Sequence, residues 1–147
     1  MSEQQPERPG GRRRPSRQIY VHLPVADLAS SIAFFTALGF DVAPDSTDAD
    51  ATALVVGEAA FVMLLTRPFF AGFTRKPVAD PTVTEVTVAV SARTRREVDE
   101  LVDRALELGA QPCREAQDRG FMYGRSFYDL DGHLWELIWS DPDAFAA

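Results

Sequence analysis

Hydrophobic and polar positions along the chain follow two periods that succeed each other in a repeated order. Residues 19–25 (Ile-Tyr-Val-His-Leu-Pro-Val) have a period of two. Ile19, Val21, Leu23 and Val25 share one face; Tyr20, His22 and Pro24 share the other. This predicts a strand, with Pro24 near its end, where a missing N–H is tolerated. Residues 28–38 switch to helical spacing, with Leu28, Ile32, Phe35 and Leu38 on one stripe. Asp27 is placed to cap that helix and Gly39 to stop it. Short strands are predicted over 40–44, 52–56 and 60–66, with Gly57-Glu58 turning between the last two.

Residues 67–82 break the pattern. Three prolines and Gly72 predict an irregular connector. Its Phe69, Phe70 and Phe73 are unusual for a solvated linker and must pack on the domain, a second chain or a ligand. The earlier order then returns. Residues 84–90 alternate as a strand, with Val86, Val88 and Val90 on one face. Thr94 and Glu97 match a capping box, and Val98, Leu101, Val102, Ala105 and Leu108 form a helical stripe that ends at Gly109. Strands are predicted over 111–115, 121–128 and 133–139, with Asp129-Leu130-Asp131-Gly132 as the turn between the last two. Both helices end in Leu-Gly, and the first strands of the two halves start about 65 residues apart, as an internal duplication requires. The predicted fold class is α+β: two βαβββ modules forming a curled mixed sheet with an open cleft. The domain spans 19–140, with modules at 19–66 and 83–140 joined by the 67–82 linker. A basic tail (1–18) reads as disordered, and 141–147 is a short C-terminal tail.

Charge narrows the partners. The whole chain of 147 residues carries −7. Residues 1–18 hold five arginines against Glu3 and Glu7, a net +3 that leaves −10 on the rest. An acidic body repels phosphate and excludes nucleic acid as the main partner. No run approaches the ~20 apolar residues of a membrane span, and no apolar stretch near the start resembles a secretory signal. The single Cys113 allows no intrachain disulfide and is compatible with a reducing compartment, so the expected location is cytoplasmic. Arginine outnumbers lysine fourteen to one, a composition typical of a GC-rich bacterial source.

Two segments carry a resemblance. Leu23-Pro24-Val25-Ala26-Asp27-Leu28, followed by Ser31-Ile32-Ala33-Phe34-Phe35 and Leu38-Gly39-Phe40, resembles the opening of vicinal oxygen chelate proteins. This superfamily comprises glyoxalase, bleomycin-resistance and dioxygenase proteins. Asp129-Leu130-Asp131-Gly132-His133-Leu134-Trp135-Glu136 resembles the signature that closes them, and the match covers residues 19–139. Within the superfamily the chain looks closest to bacterial glyoxalase-like proteins related to lactoylglutathione lyase. The resemblance implies a divalent metal (Zn, Ni, Mn or Fe) on four strand positions, which fall here at Tyr20, Met63, Thr87 and Glu136. Only Glu136 keeps a ligand type. A displaced set of His22 and Glu136, with Glu85 as third ligand, remains an alternative.

Several residue types permit two readings. Glu136 reads as a general base in an apolar pocket, or equally as a carboxylate paired with Arg125 or hydrogen-bonded to Tyr20. Arg125 reads as a clamp for an anionic substrate or as a solvated cation. Phe69, Phe70 and Phe73 read as a lid over the cleft or as core or interface packing. Cys113, beside Arg114, reads as structural, and His133 as an exposed turn residue. Trp135, Leu137 and Trp139 share a face opposite Glu136 and read as core. The expected ligand pocket is therefore lined by Tyr20, His22, Met63, Phe69, Phe70, Thr87, Arg125 and Glu136. The expected function is small-molecule binding in a homodimer without the full metal site. The alternative is a metal-dependent lyase, isomerase or dioxygenase using His22 and Glu136.

Overall fold

In the computed structural model of the chain, which describes residues 16–144, the alternation at 19–25 becomes β1 (Ile19–Val25). Most of the predicted basic tail and the last three residues of the C-terminal tail lie outside the described residues. Helix α1 (Leu28–Ala37) starts as its cap predicts: Ser30 N–H donates to the Asp27 carboxylate at 3.0 Å. Strands β2 (Asp41–Ala43), β3 (Ala51–Gly57) and β4 (Ala60–Thr66) complete the first module. A single 3₁₀ turn at Pro44–Ser46 follows β2. The sheet order is β1-β4-β3-β2, with β1 parallel to β4 and the other pairs antiparallel.

The second module repeats this plan with one change. Strand β5 (Thr87–Ser91), the longest helix (Arg95–Glu107), β8 (Met122–Tyr128) and β9 (Leu134–Ser140) match their counterparts. The strand predicted over 111–115 shortens to β6 (Gln111–Pro112), and a second short strand that was not predicted, β7 (Gln117–Asp118), follows; both are antiparallel to β8. Pro112 has no N–H to extend the ladder, and the chain loops out before it pairs again. The order is β5-β9-β8-β6, with β5 parallel to β9. The described residues thus form two mixed sheets of four and five strands, one per module, the α+β class of two βαβββ modules that the sequence predicts.

Two boundaries differ from the sequence reading. The connector begins with a short helix, α2 (Arg67–Ala71), because Pro68 sits in its first turn, where no N–H is needed. Numbered after it, the Arg95–Glu107 helix is α3. Strand β5 starts at Thr87, not near 84, because its ladder partner β9 begins at Leu134 and leaves Thr84–Val86 unpaired on that side.

One apolar core joins the modules. Leu23, Val25, Leu54 and Leu64 from the first sheet meet Phe127, Trp135 and Leu137 from the second, with Phe34 and Phe35 of α1 between them. The Phe35 and Trp135 rings are 4.9 Å apart, and those of Phe34 and Phe127 are 6.3 Å apart. Each such side chain, fully buried, contributes about 1.5–3 kcal/mol. From α3, Val98, Val102 and Ala105 face this core. Trp135 and Leu137 are buried as expected, while Trp139 is half-buried.

A polar seam reinforces the junction. The Ala26 N–H donates to Asp131 Oδ1 at 2.7 Å, and Ser31 Oγ donates to Oδ2 at 3.3 Å. His133 Nε2 lies 2.6 Å from the Pro24 carbonyl oxygen, which only accepts, so this nitrogen carries the proton. His133 is therefore half-buried at the junction, not exposed as its turn position suggested. Gly132 sits at φ +82°, and a Cβ there would meet the Pro81 oxygen at 2.9 Å, so the turn needs glycine on both counts.

Candidate functional site

Helices α1 and α3 pack on the core side of their sheets, so the opposite sheet faces hold whatever chemistry the strands present. In the first sheet, register places Tyr20 beside Phe61 and His22 beside Met63 on that open face. The Tyr20 and Phe61 rings stack at 5.0 Å, and the Phe73 ring meets His22 edge-on at 5.2 Å. Phe73 also meets Phe69 at 5.3 Å. Helix α2 packs against β1 and β4, which carries Phe69 and Phe70 to the same region. Tyr20 is 50% exposed and Phe73 61%, so this aromatic face is largely open. Tyr20, His22, Met63 and Phe69 are thus brought together, with Phe70 half-buried close by.

On the second sheet, Ala89 pairs with Glu136 and Thr87 with Leu134, which puts Thr87 and Glu136 on one face of adjacent strands. Glu136 also pairs with Ser126 of β8. Its carboxylate Oε1 accepts from Arg114 Nη2 at 2.9 Å, not from Arg125 or Tyr20. Next to it, Ser126 is 6% exposed and its hydroxyl finds no hydrogen-bond partner among the described residues. Burying a hydroxyl in that state costs about 1–3 kcal/mol. Further along the face, Cys113 Sγ lies 3.3 Å from Tyr128 Oη, a contact that raises the Tyr128 pKa. Arg114 and Ser126 were missed from sequence. The alternation over 122–128 held the signal for Ser126, but Gly120 and Gly124 left the strand register open.

Arg125 corrects its expectation. Alternation along β8 turns it to the helix side, where Nη1 pairs with Asp99 at 3.0 Å and Asp103 at 2.9 Å. These carboxylates hold its pKa up against the opposing effect of burial. Tyr123 Oη donates to the same Asp99 at 2.6 Å, and that bond raises its own pKa. Arg125 therefore ties β8 to α3 and does not face the open side. Glu85 precedes β5 and lines a small cavity with Arg67, Asp80, Asp131 and His133, away from Glu136. Among the described residues no helix is long and apolar enough to cross a membrane.

Two βαβββ modules with open sheet faces define a class of duplicated small α+β proteins. The chain belongs to the Glyoxalase/Bleomycin resistance protein/Dioxygenase superfamily, whose sequence profile matches residues 17–137. No curated relative matches it. Among solved structures, a hypothetical protein from S. aureus is similar at 26% identity and a TM-score of 0.72, covering 85% of this chain and 94% of that one. A glyoxalase/bleomycin resistance protein/dioxygenase family enzyme from Burkholderia phytofirmans PsJN is 15% identical with a TM-score of 0.70, covering 85% and 99%. The bleomycin resistance determinant encoded on transposon Tn5 is 20% identical with a TM-score of 0.60, covering 85% and 98%.

The residues present do not fit the superfamily's metal. A thioether at Met63 and a hydroxyl at Thr87 are poor donors to a hard or borderline divalent ion. The one carboxylate retained, Glu136, is engaged by a guanidinium. The displaced set does not assemble either, because His22 packs against Phe73 and Glu85 lies beside His133. Among the described residues no three His, Cys, Asp or Glu side chains are grouped to hold an ion.

Proposed function

We propose that this protein binds a small organic ligand on the open faces of its βαβββ modules, as a homodimer and without the superfamily's metal. The observation that carries this reading is the Arg114–Glu136 ion pair, which gives the one remaining ligand-type carboxylate a cationic partner from the chain itself. The aromatic face of Tyr20, Phe61 and Phe73 supports a planar or cationic ligand. The acidic body favours a ligand without net negative charge. The Tn5 relative, described as a bleomycin resistance determinant, is consistent with such a use of the fold.

The test is a thermal-shift screen of chelator-treated protein against drug-like cations and planar compounds. Stabilisation that persists without added metal is expected. A purified protein holding about one divalent ion per chain, lost in both His22→Ala and Glu136→Ala variants, would overturn the reading in favour of a metal-dependent lyase or dioxygenase.

A further inference from the structure

The open face of the second sheet holds three unused polar valences in one place. Arg114 follows β6, while Glu136 lies on β9, and β8 runs between those strands. To reach Glu136 Oε1 at 2.9 Å, the Arg114 side chain crosses β8 on the open face. It crosses level with Ser126, the residue that pairs with Glu136. Ser126 is buried on this face, as is Gly124 two residues before it. The crossing side chain is 60% exposed and has one polar contact among the described residues, so a ligand can lift it. Among the described residues, the Ser126 hydroxyl has no partner and the second carboxylate oxygen of Glu136 makes no hydrogen bond.

We propose that Arg114, Ser126 and Glu136 form a subsite for an α-amino carboxylate group. This proposal rests on the small-molecule reading above and names the ligand chemistry at its polar end. A simple anion at Arg114 is repelled by Glu136, and a simple cation at Glu136 is repelled by Arg114. A group with an anionic oxygen and a cationic donor on adjacent carbons satisfies both. Its carboxylate takes the free N–H groups of Arg114, its ammonium takes Glu136 Oε2, and Ser126 Oγ bonds either. The excess negative charge of the body disfavours a hydroxy acid, which brings net charge, relative to a zwitterion, which brings none.

The experiment is an NMR titration of the isotope-labelled full chain, following the Arg114 Nε–H and the Ser126 amide. The probes are glycine, glycolate, acetate and methylammonium. Glycine is expected to give saturable shifts at both positions, with acetate and methylammonium weaker by about tenfold or more, the loss of one charge-assisted hydrogen bond. Glycolate should fall between them. Ser126→Ala should keep the fold's spectrum and weaken glycine by several-fold, and Arg114→Met should abolish the glycine response of the Ser126 amide. Acetate or methylammonium matching glycine would overturn the proposal, as would an unchanged glycine affinity in Ser126→Ala or no saturable response to glycine. A screened compound that stabilises the protein but leaves both resonances unmoved overturns this subsite alone. Absence of any metal-independent stabiliser overturns the reading beneath it.

Discussion

Asp129 accepts from the backbone N–H groups of Asp131 and His133, each at 2.9 Å, and from the Trp135 indole N–H at 2.9 Å. Burial still pushes its pKa up, against the opposing influence of His133 and those donors. This one side chain thereby shapes the turn that aims Asp131 and His133 at the first module. Asp131→Ala removes two acceptors that bridge the modules and leaves the Ala26 N–H without its partner. The expected loss is about 1–3 kcal/mol, read as a lower urea midpoint at unchanged slope. Glu58→Ala, in the exposed β3–β4 turn, should stay within about 0.5 kcal/mol of the parent. An Asp131→Ala midpoint equal to that of Glu58→Ala would show that the seam does not bear load. The turn itself was legible in sequence from its Asp and Gly residues. Its partners were not, because they lie about 100 residues away and no local rule names them.

At the scale of elements, α3 is fastened at its start. Thr94 Oγ1 accepts from Glu97 N–H at 3.0 Å, while the Glu97 carboxylate reaches back to Arg93 N–H at 2.8 Å, one residue before the usual capping-box partner. The first helical residue, Arg95, forms two bonds with the Asp118 carboxylate, at 2.8 and 2.9 Å, and donates to the Gly120 carbonyl at 2.8 Å. Its guanidinium also lies 5.2 Å from the Tyr123 ring centre and 5.0 Å from that of Trp139. Arg95 and the Gly120 N–H lower the Asp118 pKa to about 2. A carboxyl depressed in the folded state adds stability above its ordinary pKa near 3.8 and loses it as pH falls through about 2. Melting temperatures of the parent should therefore exceed those of Asp118→Asn near neutral pH. The gap should close between about pH 4 and pH 2. A gap independent of pH would mean that the pair adds nothing through charge. Strong periodic signals made β1, α1, β4 and α3 readable from the chain alone. The shortening of β6, the presence of β7 and the facing of Arg125 were not, because two glycines and a proline interrupt the alternation that assigns faces.

Among the described residues, the whole molecule buries one face of each sheet and leaves the other short of cover. The core side is closed by α1, α3 and the Trp135 cluster. The open side keeps Tyr20 at 50% exposure, Phe69 at 41% and Phe73 at 61%, an aromatic surface concentrated on one module. The second module's open face, with Thr87, Ala89 and Ser91 exposed beside Glu136, has the polar character the first lacks. A second copy related by a two-fold axis can set the aromatic face of one chain against the polar face of the other. The symmetry repeats the contact and encloses two equivalent sites. A stable interface of this kind buries about 800 Å² per partner, an area the two faces must jointly supply. Light scattering at micromolar concentration is expected to give twice the chain mass. A Tyr20→Glu, Phe73→Glu double variant, which places charge on the aromatic face without touching the core, should give the single-chain mass with its far-UV spectrum intact. It should also lose ligand stabilisation together with the dimer, since each site then lacks one wall. A parent of single-chain mass at these concentrations would refute the pairing. A monomeric variant that still binds ligand with parental affinity would place the whole site within one chain.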